Sequence, residues 1–147
     1  MSSDEEMYGQ IGSYRDIRRM FAKSTTKSAD EEKIRLNRSI TELIEDYEAE
    51  VNNGGIDQFF FNSTGDYALE TVDALEKIQA SKAAAILREA CERFPEGKPP
   101  TSLATRRELM LATVSPESDA FHDLDERFFK YEENITELLR KYLAHDQ

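Results

Sequence analysis

Apolar positions recur at helical spacing along most of the chain. Ser28 followed by Glu31 has the spacing of a capping box and predicts a helix start. Leu36, Ile40, Leu43, Ile44, Tyr47 and Val51 then lie on one stripe, and Gly54-Gly55 supplies a stop. Upstream, Ile11, Tyr14, Ile17, Met20 and Phe21 predict a shorter helix before a polar loop at 24–28. Ile56, Phe59 and Phe60 share a face of a short helix, with Phe61 pointing elsewhere; a strand at 58–61 is the alternative, cramped by its flanking turns.

After the turn-rich Asn62-Ser63-Thr64-Gly65, a helix from Asp66 would bury Ala68, Leu69, Val72, Leu75 and Ile78. Another from Ser81 would bury Ala83, Ile86, Leu87, Ala90, Cys91 and Phe94, and Pro95 ends it. A loop at 95–100 and a short helix at 103–113 follow. A last helix at 123–144 would stack Phe128, Tyr131, Ile135, Leu138, Leu139 and Tyr142. There is no sustained alternation of strand type and no internal repeat. The pattern predicts an all-α fold, one compact domain of six or seven helices over 1–147, with its core at about 28–144 and residues 1–12 mobile.

Composition adds a core and a charge. Eight Phe and six Tyr in 147 residues exclude a low-complexity acidic tail. No apolar run reaches the roughly 18–20 residues of a membrane span, and Met1-Ser2-Ser3-Asp4-Glu5-Glu6 lacks the basic and apolar regions of a secretory signal, so a cytoplasmic protein is expected. The net charge of −11 is concentrated. Residues 39–76 hold ten acids (Glu42, Glu45, Asp46, Glu48, Glu50, Asp57, Asp66, Glu70, Asp73, Glu76) and no Lys or Arg. Like-charge repulsion disfavours direct binding of nucleic acid or an anionic membrane there and favours a cationic partner.

Catalytic and metal chemistry is thinly represented, and no cofactor is implied. His122 and His145 are the only histidines, and His122-Asp123-Leu124-Asp125-Glu126 lacks the helical spacing that aims ligands at one ion. Cys91 falls on an apolar helix face and reads as a core thiol. Asn53-Gly54-Gly55 lacks the Lys-Ser/Thr of a phosphate loop. The acids say more. Arg35 and Arg38 are spaced to pair with Glu31 and Glu42, leaving Glu45 and Asp46 outside the self-neutralised front of their helix. Asp66, Glu70 and Asp73 would cluster on the next helix, with only Lys77 placed to offset them. Helical carboxylates three or four residues apart are about 5–6 Å apart at Cβ, the same order as the ~3.4 Å step between phosphates of a DNA strand. A solvated acidic face that serves solubility is the competing reading.

The stretch Glu50-Val51-Asn52-Asn53-Gly54-Gly55-Ile56-Asp57-Gln58-Phe59-Phe60-Phe61-Asn62-Ser63-Thr64-Gly65 resembles the signature of a bacterial family of small helical proteins of DNA-mimic type, N-G-G-[FI]-x-Q-[FY]-F-x-N-S-x-G. Ala83–Ala90 through Phe94-Pro95 and Leu124–Asn134 resemble the family's later helices, so the likeness covers most of 40–143. It implies an all-α homodimer whose negative surface imitates duplex DNA, occupies the DNA site of a helix-turn-helix regulator and relieves repression.

The candidate contact residues are Glu42, Glu45, Asp46, Glu48, Glu70 and Asp73, extended by Glu132, Glu133 and Glu137 or by dimerisation. Within the motif, Gly54 and Gly55 would permit a tight turn, Asn53 would tolerate left-handed geometry, and Phe59 and Phe60 would anchor the short helix. Asn52, Gln58, Asn62 and Ser63 would satisfy buried or turn backbone groups, with Gly65 closing the turn. The alternative is a pocket with Asn52, Gln58 and Asn62 as its polar lining. Two other functions stand beside mimicry: an immunity or antitoxin-like protein neutralising a basic toxin nuclease, and a carboxylate-dependent hydrolase.

Overall fold

The computed structural model describes residues 38–145. Expectations for residues 1–12, the helix at 11–21, the Ser28 capping box and the Arg35–Glu31 pair lie outside the described residues. Helix α1 spans Ile40–Phe61 and is capped by Ser39, whose Oγ accepts the Glu42 N–H at 3.2 Å. The helical stripe therefore does not run unbroken from Ser28 to Asn53, because Arg38 and Ser39 are non-helical. Ser39-x-x-Glu42 repeats the capping spacing and starts α1.

The chain continues through a 3-10 turn at Ser63–Tyr67, α2 at Ala68–Lys77 and α3 at Ser81–Glu92. After Pro95–Gly97 come α4 (Leu103–Leu109), which widens into a π turn at Met110–Val114, then α5 (His122–Phe129) and α6 (Ile135–His145). No strand occurs among the described residues, so Gln58–Phe61 is helical. The fold is all-α.

Helix α1 is the axis of the core. Ile44, Tyr47, Val51, Ile56, Phe59, Phe60 and Phe61 are all essentially inaccessible to solvent. Tyr47 meets Phe59 edge-on at 5.0 Å, and Phe60 meets Phe94 at 4.9 Å and Phe121 at 5.3 Å, the offset geometries that ring quadrupoles favour. Helices α2, α4 and α5 pack against α1, and α3 joins α2 to α5. The inward positions expected for α3 are all buried.

Three local expectations are corrected. Asp66 lies in the 3-10 turn and is buried, so it is no part of an exposed acidic cluster. On α2 the inward stripe is Ala68, Thr71, Val72 and Leu75, with Leu69 exposed. Thr71 can face inward because its hydroxyl donates to the Tyr67 carbonyl at 2.8 Å. The single helix at 123–144 is two. Tyr131 adopts a left-handed φ of 48° and stands exposed, and Asn134 caps α6 by accepting the Glu137 N–H at 3.0 Å.

Candidate protein-interaction surface

The family-like motif builds a kink. Inside α1, Gly54 (φ −155°, ψ 20°) and Gly55 (φ 79°, ψ 178°) leave helical geometry before the helix resumes at Ile56. Gly55 is the left-handed residue, in a region nearly closed to side chains; Asn53 was expected to tolerate such a conformation, but the extreme angles fall on the glycines. A resumed helix needs a new cap. Asp125 of α5 supplies it, its Oδ1 accepting the Ile56 N–H at 2.8 Å. Burial pushes the Asp125 carboxyl above the usual range, with the Ile56 N–H pulling the other way.

The motif amides close over the kink. Asn62 Nδ2 donates to Glu50 at 2.7 Å, Gln58 Nε2 donates to the other Glu50 oxygen at 3.5 Å, and Asn53 Nδ2 donates to Gln58 at 3.3 Å. Residues before and after the glycines are thus tied through one carboxylate. Asn52 donates to the Glu48 carbonyl at 2.8 Å and accepts from the Tyr131 hydroxyl at 2.5 Å. Backbone groups were the expected partners of these amides; for Gln58 and Asn62 the partner is Glu50. None of the depressions described on the surface has Asn52, Gln58 or Asn62 in its lining.

The C-terminal end of α1 lacks a basic residue in its last turn. Two arginines of α4 reach back to it. Arg106 donates through Nε to the Phe60 carbonyl at 2.6 Å and through Nη2 to the Asn62 carbonyl at 2.9 Å and Asp66 at 2.8 Å. Arg107 Nε donates to the Phe61 carbonyl at 2.7 Å, and its guanidinium lies 4.8 Å from the Phe61 ring centre. These donors satisfy orphan carbonyls and oppose the negative end of the helix dipole. Gly65 is required because a Cβ there would meet Arg106 Nε at 2.8 Å and the Phe59 carbonyl at 2.9 Å.

This architecture sorts the ten acids of 39–76. Asp57 and Asp66 are buried, Glu50 serves the kink, and Glu76 pairs with Arg88 at 2.6 Å. Asp46 forms an ion pair with Arg38, which also reaches Glu42 at 3.8 Å. Glu45, Glu70 and Asp73 are exposed and make no ion pair among the described residues. Glu48 is half-buried; that burial, then the Glu45 carboxylate one turn away, raise its pKa. Glu70 and Asp73 of α2 flank a groove of about 230 Å³ beside Ile40 and Leu43 of α1, with Arg38 and Lys77 also in its lining.

The later candidate acids are engaged locally. Glu133 accepts the N–H groups of Lys82 at 3.0 Å and Ala83 at 2.9 Å, capping α3, whose N-cap Ala80 has no side-chain acceptor. Glu132 approaches Lys82 at 3.4 Å, and Glu137 pairs with Arg140 at 3.0 Å. Asp123 forms a bidentate pair with Arg93 (2.8 and 2.7 Å), which lowers its pKa to about 2. Cys91 is buried, its thiol pushed up to about 12 by desolvation. No group of three or more His, Cys, Asp or Glu side chains is arranged to hold a metal among the described residues.

Sequence reasoning missed Asp125, Arg106 and Arg107. A helix ending in Phe59-Phe60-Phe61-Asn62 with no local cation needs donors from elsewhere, and the Arg106-Arg107 pair in a short, partly apolar helix was the available signal.

Fold and surface together define an all-helical acidic domain organised on a glycine-kinked central helix. Residues 39–146 match the model of the DMP19-like protein family, most of the chain's length, and the chain belongs to that family. Family membership points to a protein of DNA-mimic type. Neither a curated protein nor a solved structure matches the chain. No described helix is long and apolar enough to cross a membrane.

Proposed function

We propose that the protein is a non-enzymatic DNA mimic that binds a basic DNA-binding protein, such as a helix-turn-helix transcription regulator, and competes with duplex DNA for it. The observation that carries this reading is the pair of carboxylate rows on adjoining helices, exposed Glu42 and Glu45 with half-buried Glu48 on α1 and exposed Glu70 and Asp73 on α2. Along a helix, carboxylates three residues apart rise about 4.5 Å per step, near enough to the phosphate step for a cationic groove to engage several at once. Asp46, partly offset by Arg38, flanks the first row. Glu132, Glu133 and Glu137 form the periphery, and a homodimer would extend the surface further.

The test is capture of bacterial lysate proteins on the immobilised chain at low and high salt. Mimicry predicts recovery of a DNA-binding protein that is displaced by duplex DNA and lost as screening shortens electrostatic reach. Recovery only of salt-insensitive partners without DNA-binding activity would refute it.

A further inference from the structure

One depression on the molecule has the opposite character to the acidic face. It lies between the end of α2 and the outer side of α6, with a volume of about 360 Å³. On α6, Leu138, Lys141, Tyr142 and His145 follow one another at helical spacing along the groove, and Lys77 and Ile78 face them from α2 and its cap. Among the described residues, the linings of the other depressions each contain a carboxylate and this one contains none. Neither Lys77 nor Lys141 forms an ion pair among the described residues, although Glu137 and Arg140 nearby on α6 pair with each other.

The two helix C-termini bordering the groove each contribute roughly half a negative charge, less than the two ammonium groups supply; Glu70 and Asp73 approach Lys77 from the other side of α2, in the neighbouring groove, and leave Lys141 unopposed. A positive groove with Leu138 and Tyr142 in its wall therefore persists on a chain of net charge −11. Such a surface discriminates in a definite way. Carboxylates near the lysines would be drawn in from solution. An adjoining aliphatic or aromatic side chain would remove the Leu138 and Tyr142 surfaces from water.

We infer that the groove between α2 and α6 docks an acidic peptide segment bearing an apolar anchor, contributed by a protein partner. The charge of the groove argues against a basic segment: it selects anions, and its apolar wall selects those that carry a hydrophobic side chain. The molecule thus presents two surfaces of opposite preference, which meet at Lys77.

The experiment is fluorescence anisotropy on the full chain with a labelled, N-acetylated, C-amidated probe of sequence Asp-Glu-Asp-Leu-Phe. Comparators are a probe with Lys at each acidic position and one with Gly in place of Leu-Phe. The expected result is saturable, salt-sensitive binding of the first probe, with both comparators at least about tenfold weaker. Lys77→Glu with Lys141→Glu should weaken the first probe at least about tenfold, whereas Glu42→Gln with Glu45→Gln should leave it unchanged. Absence of saturable binding, equal binding of the three probes, or unaltered binding to the double lysine variant would overturn the inference. None of these results bears on capture through the acidic face.

Discussion

Asp125 and Ile56 are 69 residues apart, yet the Asp125 carboxylate accepts the Ile56 N–H at 2.8 Å and occupies the space where a Gly55 side chain would begin. A Cβ at Gly55 would lie 2.6 Å from Asp125 Oδ2, in a backbone conformation with φ of 79°. Gly55→Ala combines strain with displacement of the cap, and is expected to destabilise the fold by roughly 2–4 kcal/mol. Urea unfolding monitored by circular dichroism measures this; a loss below half a kilocalorie per mole would contradict the role given to the kink.

The same carboxylate makes a pH prediction. Its pKa is raised in the folded state, so folding favours its protonated form, and this group's contribution is fully present below the unfolded value and lost as pH rises through the folded one. Asp125→Asn keeps an acceptor for Ile56 without a buried charge. Between neutral pH and the ordinary aspartate value of about 3.9, acidification should therefore raise the stability of the wild type relative to Asp125→Asn. Parallel unfolding curves at several pH values provide the comparison, and a difference that moves the opposite way would exclude a raised Asp125 pKa.

Arg106 is fully buried and joins α4 to the end of α1 and to Asp66. Arg106→Met removes the donors from two α1-end carbonyls and the guanidinium that faces the buried Asp66 carboxylate, a loss of about 3–5 kcal/mol. Adding Asp66→Asn should recover part of it, because the second change removes the buried charge that Arg106 had faced. Additive losses in the double variant would show that the pair is not coupled.

Acids of the surface and acids of the framework should separate cleanly. Glu133→Ala removes the cap of α3 and is expected to lower stability by about 1 kcal/mol. Glu45→Gln and Glu70→Gln should change stability by no more than about 0.5 kcal/mol, while each weakens capture of a DNA-binding partner in a graded way. One substitution abolishing all binding, with the others silent, would favour a single catalytic or anchoring carboxylate instead.

Cys91 is expected to resist alkylation at neutral pH, since burial holds its thiol near a pKa of about 12. Iodoacetamide labelling followed by mass spectrometry, with and without denaturant, tests this. Rapid labelling of the folded chain would place the thiol nearer solvent.

Helical periodicity made most of the fold legible, because each stripe records which face is buried. The inward positions of α3 could be read directly from Ala83 to Phe94. What periodicity could not convey was interruption. Nothing in the apolar stripe of 123–144 marks the break at Tyr131, which is set by a left-handed backbone and by Asn134 as a cap. The acidic segment was legible as composition but not as surface. Asp66 and Glu50 look like their exposed neighbours until Arg106, on a distant helix, and Asn62 are in place. Long-range caps leave little local trace, since the residue that needs the partner and the residue that provides it are separated by tens of positions.

That separation has a consequence for synthesis. The helix that resumes at Ile56 has no acceptor of its own before it and relies on Asp125, while its far end relies on Arg106 and Arg107. At about 5–20 residues per second, a ribosome needs several seconds to add the intervening chain. During that interval Phe59, Phe60 and Phe61 have emerged without the helices that cover them. The glycine kink thus makes a nascent chain with three adjacent aromatic rings waiting on its own C-terminal third, an interval in which a chaperone would find its binding segment ready.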